Sequence, residues 1–398
     1  MKLTKKKKNS LAHVATTLLP DEHRSEQIFA SGEDHYQSLL TDIAQAKTSI
    51  DFESYIFSND EAGQEVAQAL IEALERDVAV RVLVDGVGSP FWSRGLGRRL
   101  ERAGAKTRIY NPLPWQIWSW GRSTRRHWFF LKWIFLFWNI NTRNHRKTVI
   151  IDNSIAYIGS FNVHKCHLPK DRGGFGWRDT SVRISGADLS ALSKAFKRTW
   201  DHQPIRERLR DTFKRFKKHP KFRLNTPHHG RRILFKNLLR KLQRSQQRVW
   251  ITSAYFVPNA LLLRRLKEAA DRQVDVRLLL PQKSDITFVD WAAMTYYKKL
   301  LKSNVRIFEY KPSVLHAKSI IVDDWMVVGS TNLNSRSLMH DLEVDVEIQT
   351  EEAKQTLQTL YIEDLSHSEE VTLDNWQQRL SLGKRIMGHL TLYFRYFI

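Results

Sequence analysis

The chain reads as an α/β protein of two homologous α/β domains, related by a pseudo-twofold axis, with an active site at their interface. Three observations predict this. A short pattern occurs twice, as His145-Arg-Lys147 with Asp152 and as His316-Ala-Lys318 with Asp323, each H-x-K-x4-D. Each copy then runs into Gly-Ser-x-Asn, at Gly159-Ser160-Phe161-Asn162 and Gly329-Ser330-Thr331-Asn332. The stretches leading to the two patterns also answer each other, segment by segment.

Residues 49–55 match 249–255, residues 80–84 match 276–280, and residues 108–110 match 306–308. All are short, β-branched or apolar, and bounded by turn-formers, so they read as strands. Helical patterns lie between them at 63–76, 95–103, 259–272 and 290–302. Strand alternating with helix predicts sheets covered on both faces. The runs Thr148-Val-Ile-Ile151 and Ser319-Ile-Ile-Val322 read as buried strand. The expected organisation is a basic tail (1–30), a first domain (31–205), a linker rich in Lys, Arg, Pro and His (206–230), a second domain (231–365) and an amphipathic C-terminal segment (366–398).

With 398 residues there is room for two cores, and 42% hydrophobic residues exclude a disordered chain. A formal charge of +22 favours a polyanionic partner, either nucleic acid or an anionic membrane surface. The single cysteine, Cys166, excludes an intramolecular disulfide framework and fits a reducing, cytoplasmic setting. No segment qualifies as a spanning helix. The best apolar run, 128–138, is broken by Lys132 and falls short of the roughly 20 residues needed. Lysines 5–8 and the weakly apolar run 11–19 read as a solvated tail rather than a signal peptide.

The halves differ by an insertion. Arg108 and Arg306 are 198 apart and His145 and His316 are 171 apart, so the first half holds 27 extra residues within about 112–143. Trp115, Trp118, Trp120, Trp128, Trp133 and Trp138 lie there, interleaved with Arg122, Arg125, Arg126 and Lys132. Aromatic and cationic groups together suit the water–lipid boundary, which predicts membrane contact. A solid aromatic run fits single-strand base stacking poorly. At the other end, Leu382, Ile386, Leu390, Tyr393, Phe394 and Phe397 fall near helical spacing beside Lys384, Arg385 and Arg395. That segment suits either a membrane surface or the protein's own.

The doubled residues suit chemistry at a phosphodiester. One neutral imidazole attacks phosphorus and forms a phosphohistidine, and a second, protonated, gives its proton to the leaving alkoxide. Lys147 and Lys318, with Ser160, Asn162, Ser330 and Asn332 as phosphate-binding groups, would offset charge on the equatorial oxygens. Trp177-Arg-Asp179 answers Asp341-Leu-Glu343, which makes Asp179 and Glu343 the candidates for orienting the two rings. Asp152 and Asp323 are counted with the catalytic motif, although support of nearby loops is the favoured reading. His164, His167 and His340 read as surface or cleft-rim residues. Neither zinc spacing nor a carboxylate array suited to paired Mg²⁺ occurs, so no metal and no cofactor is expected.

These motifs resemble the phospholipase D superfamily. Asn144-His-Arg-Lys147, Ala254-Tyr-Phe-Val-Pro258, Leu315-His-Ala-Lys318 and Gly329-Ser-Thr-Asn-Leu-Asn-Ser-Arg-Ser337 are similar to those of bacterial cardiolipin synthases of the short, peripheral type. The resemblance spans roughly residues 35–350. It departs at Ser160, where family members often have Gly, and at Asn334, where they often have Asp. It implies phosphatidyl transfer between two phosphatidylglycerol molecules, giving cardiolipin and glycerol, with His145 as nucleophile and His316 as acid and base. The implied setting is the cytoplasmic face of a bacterial inner membrane, with an anionic phospholipid membrane as partner and no nucleic acid. Rival readings are a phospholipase D-type hydrolase, a transferase for another headgroup, a nuclease, or a lipid-binding scaffold. Two intact His/Lys sets argue against the last.

Overall fold

The computed structural model describes residues 24–124, 141–201, 221–225, 228–379 and 381–393. Two mixed sheets carry the fold. The first contains β1 (Ser25–Phe29), β2 (Ser49–Ser54), β3 (Ala79–Asp85), β4 (Lys106–Tyr110), β5 (Thr148–Ile151), β6 (Ile155–Gly159) and β7 (Ser181–Ser185), in the order β1-β7-β6-β5-β2-β3-β4. The second contains β8 (Phe222–Leu224), β9 (Arg248–Ser253), β10 (Asp275–Pro281), β11 (Arg306–Tyr310), β12 (Lys318–Val322), β13 (Trp325–Gly329), β14 (Val344–Glu347) and β15 (Ser368–Val371), in the order β15-β11-β10-β9-β12-β13-β14-β8. In each sheet three strands run parallel, β2-β3-β4 and β9-β10-β11. The strand that follows the H-x-K motif, β5 or β12, joins them antiparallel.

Three strands fall outside the expected domain limits. β1 lies in what reads as the basic tail, β8 in the linker and β15 in the C-terminal segment. The reason is edge protection. β7 and β14 would each leave a row of unpaired backbone groups, and β1 and β8 pair with them antiparallel. β15 does the same for β11.

Helices cover one face of each sheet and the partner sheet covers the other. In the first domain Val149 and Ile151 pack outward against Leu39 and Ile43 of helix Gly32–Gln45 and Val66 and Leu70 of helix Glu61–Glu75. Ile150, Ile158 and Val182 point inward and meet Ile321, Val328 and Val344 of the second sheet in one buried cluster. Burial on both faces explains why the motif strands read as unbroken apolar runs. The helix expected over 290–302 is two helices, Thr287–Met294 and Tyr297–Leu301. The Thr295 hydroxyl donates to Ala292 O at 2.6 Å, a back-bond that competes with helix continuation.

The C-terminal helix Leu382–Tyr393 docks on the protein's own surface. Gly388 lets it press on the helix Thr287–Met294, since a Cβ there would lie 2.5 Å from Trp291 O. Ile386, Leu390 and Tyr393 stay exposed. Among the described residues no helix is long and apolar enough to cross a membrane.

Asp152 and Asp323 occupy matching turns, after β5 and β12, at the opposite end of those strands from the H-x-K residues. Both take a left-handed φ, 52° and 51°. The Asp152 carboxylate accepts the backbone N–H groups of Lys47, Thr48 and Ser49 at 2.7–2.9 Å. Asp323 accepts those of Gln246, Gln247 and Arg248 at 2.9–3.0 Å. Each aspartate therefore pins the start of a central strand, and the catalytic grouping of these two is corrected. Burial alone would raise Asp152, but the backbone N–H groups of Ser49 and Lys47 hold it down at about 2. Its contribution is then complete above the unfolded value of 3.8 and lost as pH falls toward 2. Asp152→Asn or Asp323→Asn, which tolerate the same φ, should each cost roughly 1–3 kcal/mol in urea unfolding. Turnover per folded molecule should stay near wild type; abolished turnover with unchanged stability would restore the catalytic grouping.

Candidate active site

The two H-x-K segments are extended, and each pairs with the other domain at its start before running into its own sheet, which Lys318 enters opposite Ser253. Asn144 bridges Leu342 and Leu315 bridges Arg178, both parallel. His145 N–H donates to Leu342 O at 2.9 Å, and His316 N–H donates to Arg178 O at 2.8 Å. Arg178 is locked in turn to Asp364 of the second domain by two hydrogen bonds, 2.9 and 2.8 Å.

This exchange crosses the histidine–carboxylate pairs. His145 Nδ1 lies 3.0 and 3.1 Å from the Glu343 oxygens. His316 Nδ1 lies 3.1 Å from both Asp179 oxygens. Each ring therefore holds its proton on Nδ1, toward a carboxylate of the opposite domain, and leaves Nε2 outside that pair. Both rings line one cavity of about 390 Å³.

The Gly-Ser pairs explain how the carboxylates are held. A Cβ at Gly159 would lie 2.4 Å from Ser181 Cβ, and one at Gly329 would lie 2.5 Å from Asp345 Cα, so only glycine lets β6 and β13 approach their neighbours this closely. Ser160 and Ser330, expected to bind phosphate, are instead fully buried. Ser160 Oγ donates to Thr180 O at 3.0 Å and accepts Thr180 N–H at 3.1 Å. Ser330 accepts Val344 N–H at 3.0 Å and donates to Glu343 itself. Their hydroxyls are spent on the carboxylate-bearing segments. Asn162 and Asn332 do line the cavity.

Both lysines are buried against the histidines. Lys147 Nζ donates to His145 O at 2.8 Å and sits 5.3 Å from the Tyr55 ring centroid. Lys318 Nζ lies 2.9 Å from His316 Nε2. Burial pushes Lys147 down to about 7 and Lys318 to about 8, partly opposed by Glu343 and Asp179. Burial, then Lys147 and Lys318, holds His145 well below the usual imidazole range, so it stays neutral. Burial also lowers His316, but the adjacent Asp179 opposes this. Burial raises Glu343 to about 7, whereas Asp179, against its own burial, is held well below the carboxylate range by His316 and His167.

Several site residues escaped the sequence reading. Tyr55 and Tyr255 flank the two histidines, ring centroids 5.0 Å from His145 and 6.0 Å from His316. Their matched places at the ends of β2 and β9 carried that signal. Arg336 and Asp285 complete the polar wall, and Asp285 accepts the Tyr255 hydroxyl at 2.6 Å. His164 lines the cavity as a rim residue would. His167 does not belong with it, being buried with Nδ1 3.1 Å from Asp179. Asn334 caps the short helix Ser335–Met339 through Ser337 N–H at 2.9 Å, a task Asp could share.

Of the insertion's tryptophans, Trp115 and Trp118 are 61% and 39% exposed, and Arg94 stacks on Trp118 at 4.1 Å. Trp120 is only 6% exposed, so its expected membrane contact is corrected to core packing. Trp128, Trp133 and Trp138 lie outside the described residues.

If Lys147 and Lys318 hold the anion, as expected from the motif, their discharge near neutrality weakens that hold. Affinity for sulfate, whose own charge is constant, should therefore fall as pH rises through about 7 to 8. Calorimetric titration from pH 6 to pH 9 measures this; a flat affinity would exclude the lysines from the anion site.

Residues 39–200 and 238–365 match the family described as "Cardiolipin synthase, PLD-like domain". A cardiolipin synthase of Clostridium perfringens (strain SM101 / Type A) is 30% identical over 361 residues, covering 88% of this chain and 72% of that one. The major cardiolipin synthase of Bacillus subtilis (strain 168) is 31% identical over 370 residues, covering 90% and 72%. In fold, the chain is similar to the crystal structure of phosphatidylserine synthase from Haemophilus influenzae Rd KW20, with a TM-score of 0.67, 14% identity, and 94% and 95% of the two chains covered. The chain belongs to the cardiolipin synthase-like enzymes of the phospholipase D superfamily.

Proposed function

We propose that this enzyme makes cardiolipin from two phosphatidylglycerol molecules, releasing glycerol, through a phosphohistidine. The observation that carries the reading is the single cavity walled by two imidazoles, each fixed at Nδ1 by a carboxylate. In the first step His145 Nε2 attacks phosphorus, and the bond from phosphorus to the glycerol oxygen breaks. His316, as imidazolium supported by Asp179, protonates the departing oxygen. In the second step the hydroxyl of another phosphatidylglycerol gives its proton to His316 and attacks phosphorus, which frees His145. Names of the similar proteins favour this substrate over other headgroups.

Transfer rather than hydrolysis requires that water be kept from the intermediate. The cavity lies at the carboxyl ends of the parallel strands, the usual ligand edge of an α/β sheet. Tyr55 and Ile56 follow β2, Tyr255 follows β9, and Asp285, Ile286 and Phe288 follow β10. Exposed apolar residues gather in segments attached to that edge: Phe91 after β3, Trp115 and Trp118 after β4, Phe288, and Ile386 and Leu390 on the helix packed behind it. A charge of +22 adds attraction to anionic lipid. These features support peripheral docking of this edge on an anionic membrane, read here as the cytoplasmic face of a bacterial inner membrane; the charge alone would serve nucleic acid equally, and the exposed aromatic residues at this edge favour lipid.

The test is incubation with phosphorus-labelled phosphatidylglycerol vesicles without added metal, with every labelled product identified. Cardiolipin should form, and His145→Asn and His316→Asn should each reduce it by at least roughly a thousandfold without unfolding the protein. Phosphatidic acid as the main product would make the enzyme a hydrolase, and substantial turnover in either variant would remove the two-histidine mechanism.

A further inference from the structure

The two orienting carboxylates are braced differently. Glu343 is braced by the hydroxyl of Ser330. Asp179 is braced by a second imidazole, His167, which is buried between Phe161 and Trp177 with ring centroids 5.2 and 6.0 Å away. His167 Nε2 accepts the backbone N–H of Asn162 at 3.3 Å, so the neutral ring keeps its proton on Nδ1. That Nδ1 stands 3.1 Å from Asp179 Oδ2, oblique to the ideal hydrogen-bond direction. The same oxygen is 3.1 Å from His316 Nδ1. One carboxylate thus lies between two imidazoles whose centroids are 6.5 Å apart.

The repeat gives this arrangement a reference. His167 follows Gly159 by the same eight residues by which Ser337 follows Gly329. Ser337 stands beside Glu343 and opposes the rise that burial imposes on its carboxyl, so the two positions neighbour corresponding carboxylates. The first half has an imidazole where the second has a hydroxyl. Through Asn162, His167 also ties the Gly-Ser-x-Asn turn to the carboxylate that holds His316.

We propose that His167 is a positioning residue for the phosphoryl chemistry: bearing on Asp179 from behind, it fixes the His316 ring and limits how strongly Asp179 retains the proton on that ring. The inference rests on the reading above that His316 serves as acid and base. His167 does not touch the cavity and acts only through Asp179. The other titratable groups near this pair are Lys318 at His316, Lys147, Asp285 and Glu343, His164, and, behind Ser181, His35, which burial keeps neutral.

Two amide variants of similar volume separate positioning from packing. H167N keeps an N–H where Nδ1 stands. H167Q places its amide nearer the Nε2 position, keeping the Asn162 contact and losing Asp179. Melting temperature, kcat, KM and the pH profile are measured for both, on phosphatidylglycerol vesicles and on the chromogenic diester bis(4-nitrophenyl) phosphate. H167N should stay close to wild type. H167Q should lower kcat about tenfold with KM nearly unchanged. Its alkaline limb should move to higher pH, because Asp179 without the second donor faces the His316 imidazolium with more negative charge. An H167Q enzyme with wild-type kcat and limb overturns the inference, as do equal losses in both variants with unmoved limbs. Absence of cardiolipin from the wild-type protein would instead count against the proposed function, and the diester would still decide the role of His167.

Discussion

The fold depends on a crossed exchange: each domain supplies a histidine and the carboxylate that holds the other domain's histidine. His145, partly exposed, rests on the buried Glu343, and the buried His316 rests on the buried Asp179, so neither half orients its own ring alone. The backbone repeats the crossing, through the bridges of Asn144 to Leu342 and Leu315 to Arg178. Burying these charged groups between the domains is costly unless each is paired. The apolar sandwich between the sheets, Ile150 and Val182 against Ile321 and Val344, supplies the burial that offsets it.

Within this near-symmetry the two pairs are chemically unlike. Asp179 sits between two imidazoles and is held as an anion, which opposes the lowering that burial imposes on its partner ring His316. Glu343 has hydroxyl and lysine neighbours and is pushed upward by burial, and its partner His145 is kept neutral. A neutral ring suits attack on phosphorus and a chargeable one suits proton transfer. The proposed division of labour therefore follows the environments and not only the order of the motifs.

Much of this was legible in the sequence because duplication labels corresponding residues. Short β-branched and apolar runs bounded by turn-formers marked the strands, and the matched Trp177-Arg-Asp179 and Asp341-Leu-Glu343 segments pointed to the two carboxylates. Which carboxylate meets which histidine was not legible, since it depends on how the domains dock. His167 was misplaced at the rim because the second half carries Ser337 there, so no matched imidazole drew attention to it. The Gly-Ser hydroxyls looked free for phosphate, although close strand packing at Gly159 and Gly329 commits them to backbone and carboxylate. Trp120 looked interfacial by composition and is core by position. Strands β1, β8 and β15 form to cap sheet edges, which charge-rich local sequence does not announce.

The crossed pairing is most directly tested by nuclear magnetic resonance of protein carrying nitrogen-15 in its histidines, following the hydrogen-bonded ring N–H protons of His145 and His316. Glu343→Gln should displace the His145 signal and leave that of His316 in place, and Asp179→Asn should do the reverse. Signals that respond instead to the carboxylate of their own half would contradict the exchange on which the proposed site rests.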